Sequence, residues 1–139
     1  MSSEDKKALV RRFFDEAINK ANFESAEKLL AADYVEHPQL PVASTGFSGF
    51  KEFVEMLSIA FPDLHVTIED MVAEGDKVVV RLSVSGTHKG TFLGRVPPTG
   101  KHVTWRGIDI IRIADGRIVE RWGERDLLGL MQQLGVLPP

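Results

Sequence analysis

The chain contains no cysteine, which excludes a disulfide framework, a thiolate metal site and a cysteine nucleophile while leaving the redox compartment open. No apolar run approaches the ~20 residues that would cross a bilayer, and the opening MSSEDKK lacks the cation-then-apolar order of a secretion signal. The expectation is a cytoplasmic protein with no membrane partner. Charge of a single sign is missing too: 17 Lys and Arg are interspersed with 20 Asp and Glu, for a net charge of −3. Without a basic stripe, a nucleic acid partner is not expected. The nearest cluster, Lys6, Lys7, Arg11 and Arg12, reads as the solvated face of a helix. No glycine-rich phosphate loop follows a strand, no serine sits in a nucleophile elbow, and the histidines show no ligand spacing. Neither a metal nor a cofactor is therefore expected.

What is present reads as one domain over residues 1–139, long enough to bury about two-thirds of its unfolded surface. Ser3 can cap a helix carrying Glu4 and Asp5 in its first turn and Val10, Phe13, Phe14, Ala17 and Ile18 at helical spacing, ending near Ala21. Asn22 opens a short second helix through Leu30, and a third runs from about Ser48 until Pro62 stops it. From Leu64 the apolar period changes to two. Strands are expected from Val66 to Glu74, Val78 to Thr87, Thr91 to Leu93, Val103 to Ile113 and Ile118 to Gly123, with Asp126 capping a short final helix. Helices first and hairpins afterwards predict an α+β domain, a curved antiparallel sheet covered on one face by the N-terminal helices, with a pocket between the layers.

Alternation along Val103–Ile113 places a carboxylate on a dry face. Val103, Trp105, Gly107, Asp109, Ile111 and Ile113 share one side of the strand. A buried charge is costly unless paired, protonated or used, so Asp109 is the first candidate for chemistry. Its partner depends on the turn Ala114-Asp115-Gly116. A three-residue bulged loop sets Asp109 opposite Arg121, Gly107 opposite Gly123 and Trp105 opposite Arg125; a tight Asp-Gly turn sets Asp109 opposite Trp122. The bulged register is preferred because it pairs the carboxylate with a cation and opposes two glycines where a ligand needs room. Asp109 then reads either as a structural ion pair with Arg121 or as an acid/base.

His37, before Pro38, is expected at the pocket rim as a proton shuttle or oxygen donor, or as a histidine bonded to backbone. Tyr34 reads as a carbonyl donor or as core. Phe50, Phe53, Leu57 and Phe61 on the third helix, with Trp105, line the expected cavity or fill the core. Asp126 and Glu124 lie near the same end, and Asp126 reads mainly as a helix cap.

The segments Phe61-Pro62-Asp63-Leu64-His65, Glu74-Gly75-Asp76-Lys77-Val78-Val79, Gly86-Thr87-His88-Lys89-Gly90, Pro97-Pro98-Thr99-Gly100-Lys101, Ile113-Ala114-Asp115-Gly116-Arg117-Ile118-Val119-Glu120 and Asp126-Leu127-Leu128-Gly129-Leu130 resemble the SnoaL-like polyketide cyclases, or ester cyclases, of the nuclear transport factor 2-like superfamily. The resemblance spans nearly the whole chain. It implies a cone-shaped, cystatin-like α+β barrel with an apolar pocket, a homodimer or higher homo-oligomer formed through the outer sheet face, and cofactor-free aldol closure of a polyketide ester. The family's histidine and catalytic aspartate fall at Asp109 and Gly123, so both usual side chains are replaced here.

The function expected on these grounds is acid/base chemistry on a small hydrophobic or polyketide-like molecule. Asp109, Arg121 and His37 would be catalytic. Tyr34, Phe53, Leu57, Phe61, Trp105, Gly107 and Gly123 would contact substrate. The alternatives are a non-catalytic carrier of a hydrophobic ligand and, further off, water activation of the epoxide hydrolase kind, for which a second acid has no evident counterpart.

Overall fold

A computed structural model describes residues 1–138. Helix α1 spans Ser3–Arg12 and passes directly into a π-helical stretch, Phe13–Asn19. Its cap is Ser2 rather than Ser3: the Ser2 hydroxyl accepts from the Asp5 amide at 3.0 Å, and the Asp5 carboxylate accepts from the Ser2 amide at 3.1 Å. This reciprocal box satisfies two of the amides that a helix start leaves free. Helix α2, Phe23–Leu29, is capped by Asn22 as expected. Strand β1 follows at once as Leu30–His37, then α3 at Gly46–Ala60, β2 at His65–Glu74, β3 at Lys77–Thr87, β4 at His102–Ala114, β5 at Arg117–Arg125 and α4 at Leu127–Leu134. The order across the sheet is β1-β5-β4-β3-β2.

Three expectations are corrected. The sheet is mixed, because β1 runs parallel to β5. Its sequence, LAADYVEH, has no clean alternation, and its two wholly buried residues, Leu30 and Tyr34, stand at helical spacing. The expected strand at Thr91–Leu93 is only a bridge between Phe92 and Val96.

The third correction sets the site. At the turn the register is the tight one, Ala114 opposite Arg117, with both Asp115 and Gly116 at positive φ as a primed turn requires. The ladder then shifts between Arg112 and Ile113, so that beyond it Ile111 faces Arg121 and Asp109 faces Gly123. Two residues of β5 thus oppose one of β4, a β-bulge, and Ile118 and Arg121, three apart, both point inward. Neither register read from the turn survives along the whole hairpin.

The core fills the space between the inner sheet face and the helices, with Phe13, Phe14, Phe50, Phe61, Leu82, Ile111, Ile118 and Leu130 essentially inaccessible. Aromatic rings pack from one end to the other: Phe13 on Phe50 at 5.4 Å, and Phe61 on Trp105 at 5.2 Å and on Phe92 at 5.4 Å. No helix among the described residues is long and apolar enough to cross a membrane.

Candidate functional site

Alternation along β4 holds as read: each of Val103, Trp105, Gly107, Asp109, Ile111 and Ile113 is buried. Asp109 is 0% exposed and is gripped by Arg125, whose Nη1 donates to Oδ1 and whose Nη2 donates to Oδ2 at 3.2 Å. Such a fork is the strong geometry for a carboxylate. Arg121 lies on the other side, its Nη1 3.8 Å from Asp109 Oδ2. It is bound more directly to Glu36, with Nη2 2.9 Å from Oε1, and Tyr34 donates its hydroxyl to the same Glu36 oxygen. The guanidinium sits over the Phe13 ring at 5.2 Å.

The result is a row of alternating charge, Glu36, Arg121, Asp109 and Arg125, on the inner face. Burial works against the Arg121 cation, but the charges of Glu36, Tyr34 and Asp109 outweigh it and hold its proton more firmly than an ordinary arginine's. Burial, assisted by Glu36 against the opposing pull of Arg121, lifts the Tyr34 phenol well above its usual range. Arg121 Nε and Nη1 are buried and have no hydrogen-bond partner. Two charged donors are thus left free beside a buried carboxylate.

The preferred sequence reading paired Asp109 with Arg121 as direct neighbours. Arg125 instead takes the bidentate role, because the bulge moves Gly123 opposite Asp109 and Arg125 opposite Gly107. The two glycines do not oppose one another, and each leaves space for a charged side chain. A β-carbon on Gly107 would lie 2.6 Å from Arg125 Cδ, and one on Gly123 would lie 3.2 Å from Asp109 Oδ1.

His37 is not brought to this cluster. Neighbouring β1 residues point to opposite faces; Tyr34 and Glu36 turn inward, while His37 stacks on Trp122 at 5.3 Å and pairs with Glu120 at 2.7 Å on the outer face. Trp105 and Phe61 pack against each other inside, Leu57 borders a small cleft between the π-helical stretch and α3, and Phe53 is half-buried outside the main apolar cluster. Asp126 caps α4 through the Gly129 amide at 2.9 Å. Glu36 and Arg125 were missed by sequence reasoning. A carboxylate on an unrecognised edge strand carries no local signal, and the role of Arg125 depends on the bulge.

A solvent cleft reaches the Tyr34–Glu36 end of this row of charges, and Asp109, Arg121 and Arg125 do not line it. The cleft, of about 700 Å³, runs between β1 and the start of α3, lined among others by Tyr34, Glu36, His37, Leu40, Thr45 and Phe47. Among the described residues no three His, Asp or Glu side chains gather as a metal ion would need.

The profile of the SnoaL-like polyketide cyclase family matches residues 8–134. Aklanonic acid methyl ester cyclase DnrD of Streptomyces peucetius is 31% identical over 134 residues, covering 91% of this chain and 88% of its own. Nogalonic acid methyl ester cyclase of Streptomyces nogalater is 26% identical over 122 residues, covering 86% and 90%. Among solved structures, TsrD from Streptomyces laurentii superposes with a TM-score of 0.88 at 33% identity, covering 99% of both chains.

Proposed function

We propose that this chain, which belongs to the SnoaL-like polyketide cyclase family, closes a ring in a polyketide ester by cofactor-independent acid/base chemistry at Asp109. One observation carries the reading. The family resemblance implies an acid at position 123, where this chain has glycine, and Asp109 Oδ1 lies 3.2 Å from where a β-carbon on Gly123 would stand. The carboxylate reaches the same spot from the facing strand.

In this reading Asp109 takes a proton from a carbon between two carbonyls, and the free Nη1–H of Arg121, whose nitrogen lies 3.8 Å from Asp109 Oδ2, holds the enolate oxygen that develops. The enolate carbon forms a bond to a second carbonyl carbon of the same molecule. The resulting alkoxide then recovers the proton from Asp109, so the step balances without a co-reactant. Arg125, partly exposed and bound to the same carboxylate, must yield for the substrate to reach it.

The test is turnover of aklanonic acid methyl ester, the class of molecule for which the relatives are named. Asp109→Asn should lower kcat by about 10²–10⁴-fold while ligand affinity persists. Unchanged turnover removes Asp109 from the mechanism. Binding without turnover by the unaltered protein favours a carrier, with Asp109 and Arg125 as a structural pair.

A second reading, water activation of the epoxide hydrolase kind, gains one feature from the fold. Glu36 stands on the far side of Arg121 from Asp109, supplying the second acid that the sequence did not reveal.

The outer sheet face supports self-association. Val35 on β1 and Ile108 and Ile110 on β4 are exposed, and half-buried Trp122 lies opposite Ile110. We take this face as the contact between copies of the chain.

A further inference from the structure

We propose that His88 forms a second, distal substrate-binding point, donating a hydrogen bond from Nε2 to an oxygen on a planar ring that lies against Phe61 and Trp105 in the place now filled by Phe92. For the class of ligand, this inference rests on the ring-forming reading above.

His88 follows the end of β3 and is 0% exposed. Its backbone is fixed on both sides, its amide donating to the Lys101 carbonyl at 2.9 Å and its carbonyl accepting from the Gly100 amide at 2.8 Å. The ring is fixed as well: the Thr99 backbone amide donates to Nδ1 at 3.2 Å, and the Thr99 hydroxyl lies 3.0 Å from the same nitrogen. A nitrogen that accepts a hydrogen bond from an amide carries no proton itself, so the ring proton sits on Nε2. Nε2 is buried and has no partner. A donor held in that state costs stability, and no partner for it comes from the fold.

Its surroundings suit a flat, oxygen-bearing molecule. The imidazole lies on Phe61 at 5.4 Å and 32°, and the same Phe61 ring meets Trp105 and Phe92. Trp105 shares the inner face of β4 with Gly107 and Asp109. An elongated ring system with one end at His88 therefore extends along this face toward the acid.

Phe92 belongs to a segment whose backbone hydrogen bonds close on itself. Among the described residues, the backbone hydrogen bonds of residues 91–98 are internal: the Phe92 amide to the Val96 carbonyl at 2.9 Å, the Val96 amide to the Phe92 carbonyl at 2.9 Å, and the Arg95 amide to the Phe92 carbonyl at 3.1 Å. The buried side chains of Phe92 and Val96 hold it down. Its base is anchored where the Lys89 and Gly90 amides both donate to the Ala60 carbonyl, at 2.9 and 3.2 Å. Withdrawing Phe92 uncovers Phe61 without breaking a backbone hydrogen bond to the body of the protein.

The experiment uses the whole chain and 1,8-dihydroxyanthraquinone, a planar probe with carbonyl and hydroxyl oxygens at its edge. In ¹⁵N-labelled protein the His88 ring should carry its proton on Nε2, and that signal should shift when the probe binds. Phe92→Ala should tighten probe binding about tenfold, and His88→Phe should weaken it about tenfold in both backgrounds. A proton found on Nδ1, a His88 signal indifferent to bound probe, or equal affinities across the variants overturns the proposal. The NMR measurement needs no substitution, so a variant that folds poorly does not shield it. If Asp109→Asn keeps full turnover, the cyclase reading falls while probe binding at His88 stands; loss of the His88 response with turnover still dependent on Asp109 removes only the distal point.

Discussion

Asp109 and Gly123 face each other across β4 and β5, and the carboxylate of the first occupies the side-chain space that the second leaves empty. Gly107 makes the corresponding accommodation for Arg125. Alanine at either position should destabilise, but unequally. At Gly107 the new methyl meets the Glu124 carbonyl at 2.6 Å, which is backbone and cannot retreat; at Gly123 it meets a carboxylate oxygen that can shift by tenths of an ångström. Gly107→Ala should lose toward the upper end of the ~1–3 kcal/mol typical of overpacking, and Gly123→Ala toward the lower end. Urea unfolding of the two variants measures the difference, and equal losses contradict the packing described.

Tyr34 is the sole tyrosine, so phenolate absorbance near 295 nm reports it without interference. Burial first, and the Glu36 carboxylate after it, hold its phenol well above the ordinary range. A raised folded-state value means that its contribution to stability is complete below the unfolded phenol's midpoint of about 10 and is lost as the pH rises through the folded value. Alkaline titration should show no phenolate until the fold itself gives way. A smooth transition at an ordinary tyrosine midpoint in intact protein contradicts the Tyr34–Glu36–Arg121 arrangement.

Asp63 ties the approach to β2 onto the end of β3, accepting from the Thr87 amide at 2.6 Å and from the Thr87 hydroxyl at 2.7 Å. These two bonds, the amide's first, hold its carboxyl below the usual range. A depressed folded-state value gives stability that is present above about pH 4 and lost as the pH falls through the lowered value. Asp63→Asn should therefore be less stable than the parent at neutral pH, with the gap closing in acid. Thermal midpoints across pH 7 to 2 test the sign; a gap that widens in acid refutes it.

Ile108 is 52% exposed on the outer sheet face, and the face that bears it is the one assigned to self-association. Ile108→Lys combined with Ile110→Lys should convert an oligomer to a monomer in sedimentation velocity without altering the circular dichroism spectrum, since neither side chain enters the core. An unchanged sedimentation coefficient removes this face as the contact.

Local pattern determined a good deal. The alternation of β4 put Asp109 on the inner face, Asn22 and Asp126 identified themselves as caps, and the change from helical to two-residue periodicity marked where the antiparallel strands begin with β2. Each is a property of a few consecutive residues, and backbone geometry reads it wherever the segment sits. The partners of Asp109 were decided by the tertiary structure. A single bulge in β5 turned Arg121, Gly123 and Arg125 together, and Glu36 reached Arg121 only because an edge strand without alternation paired with β5, 85 residues later. Register and parallel pairing are settled by which distant apolar faces can be buried at once, and no stretch of sequence carries that sum by itself.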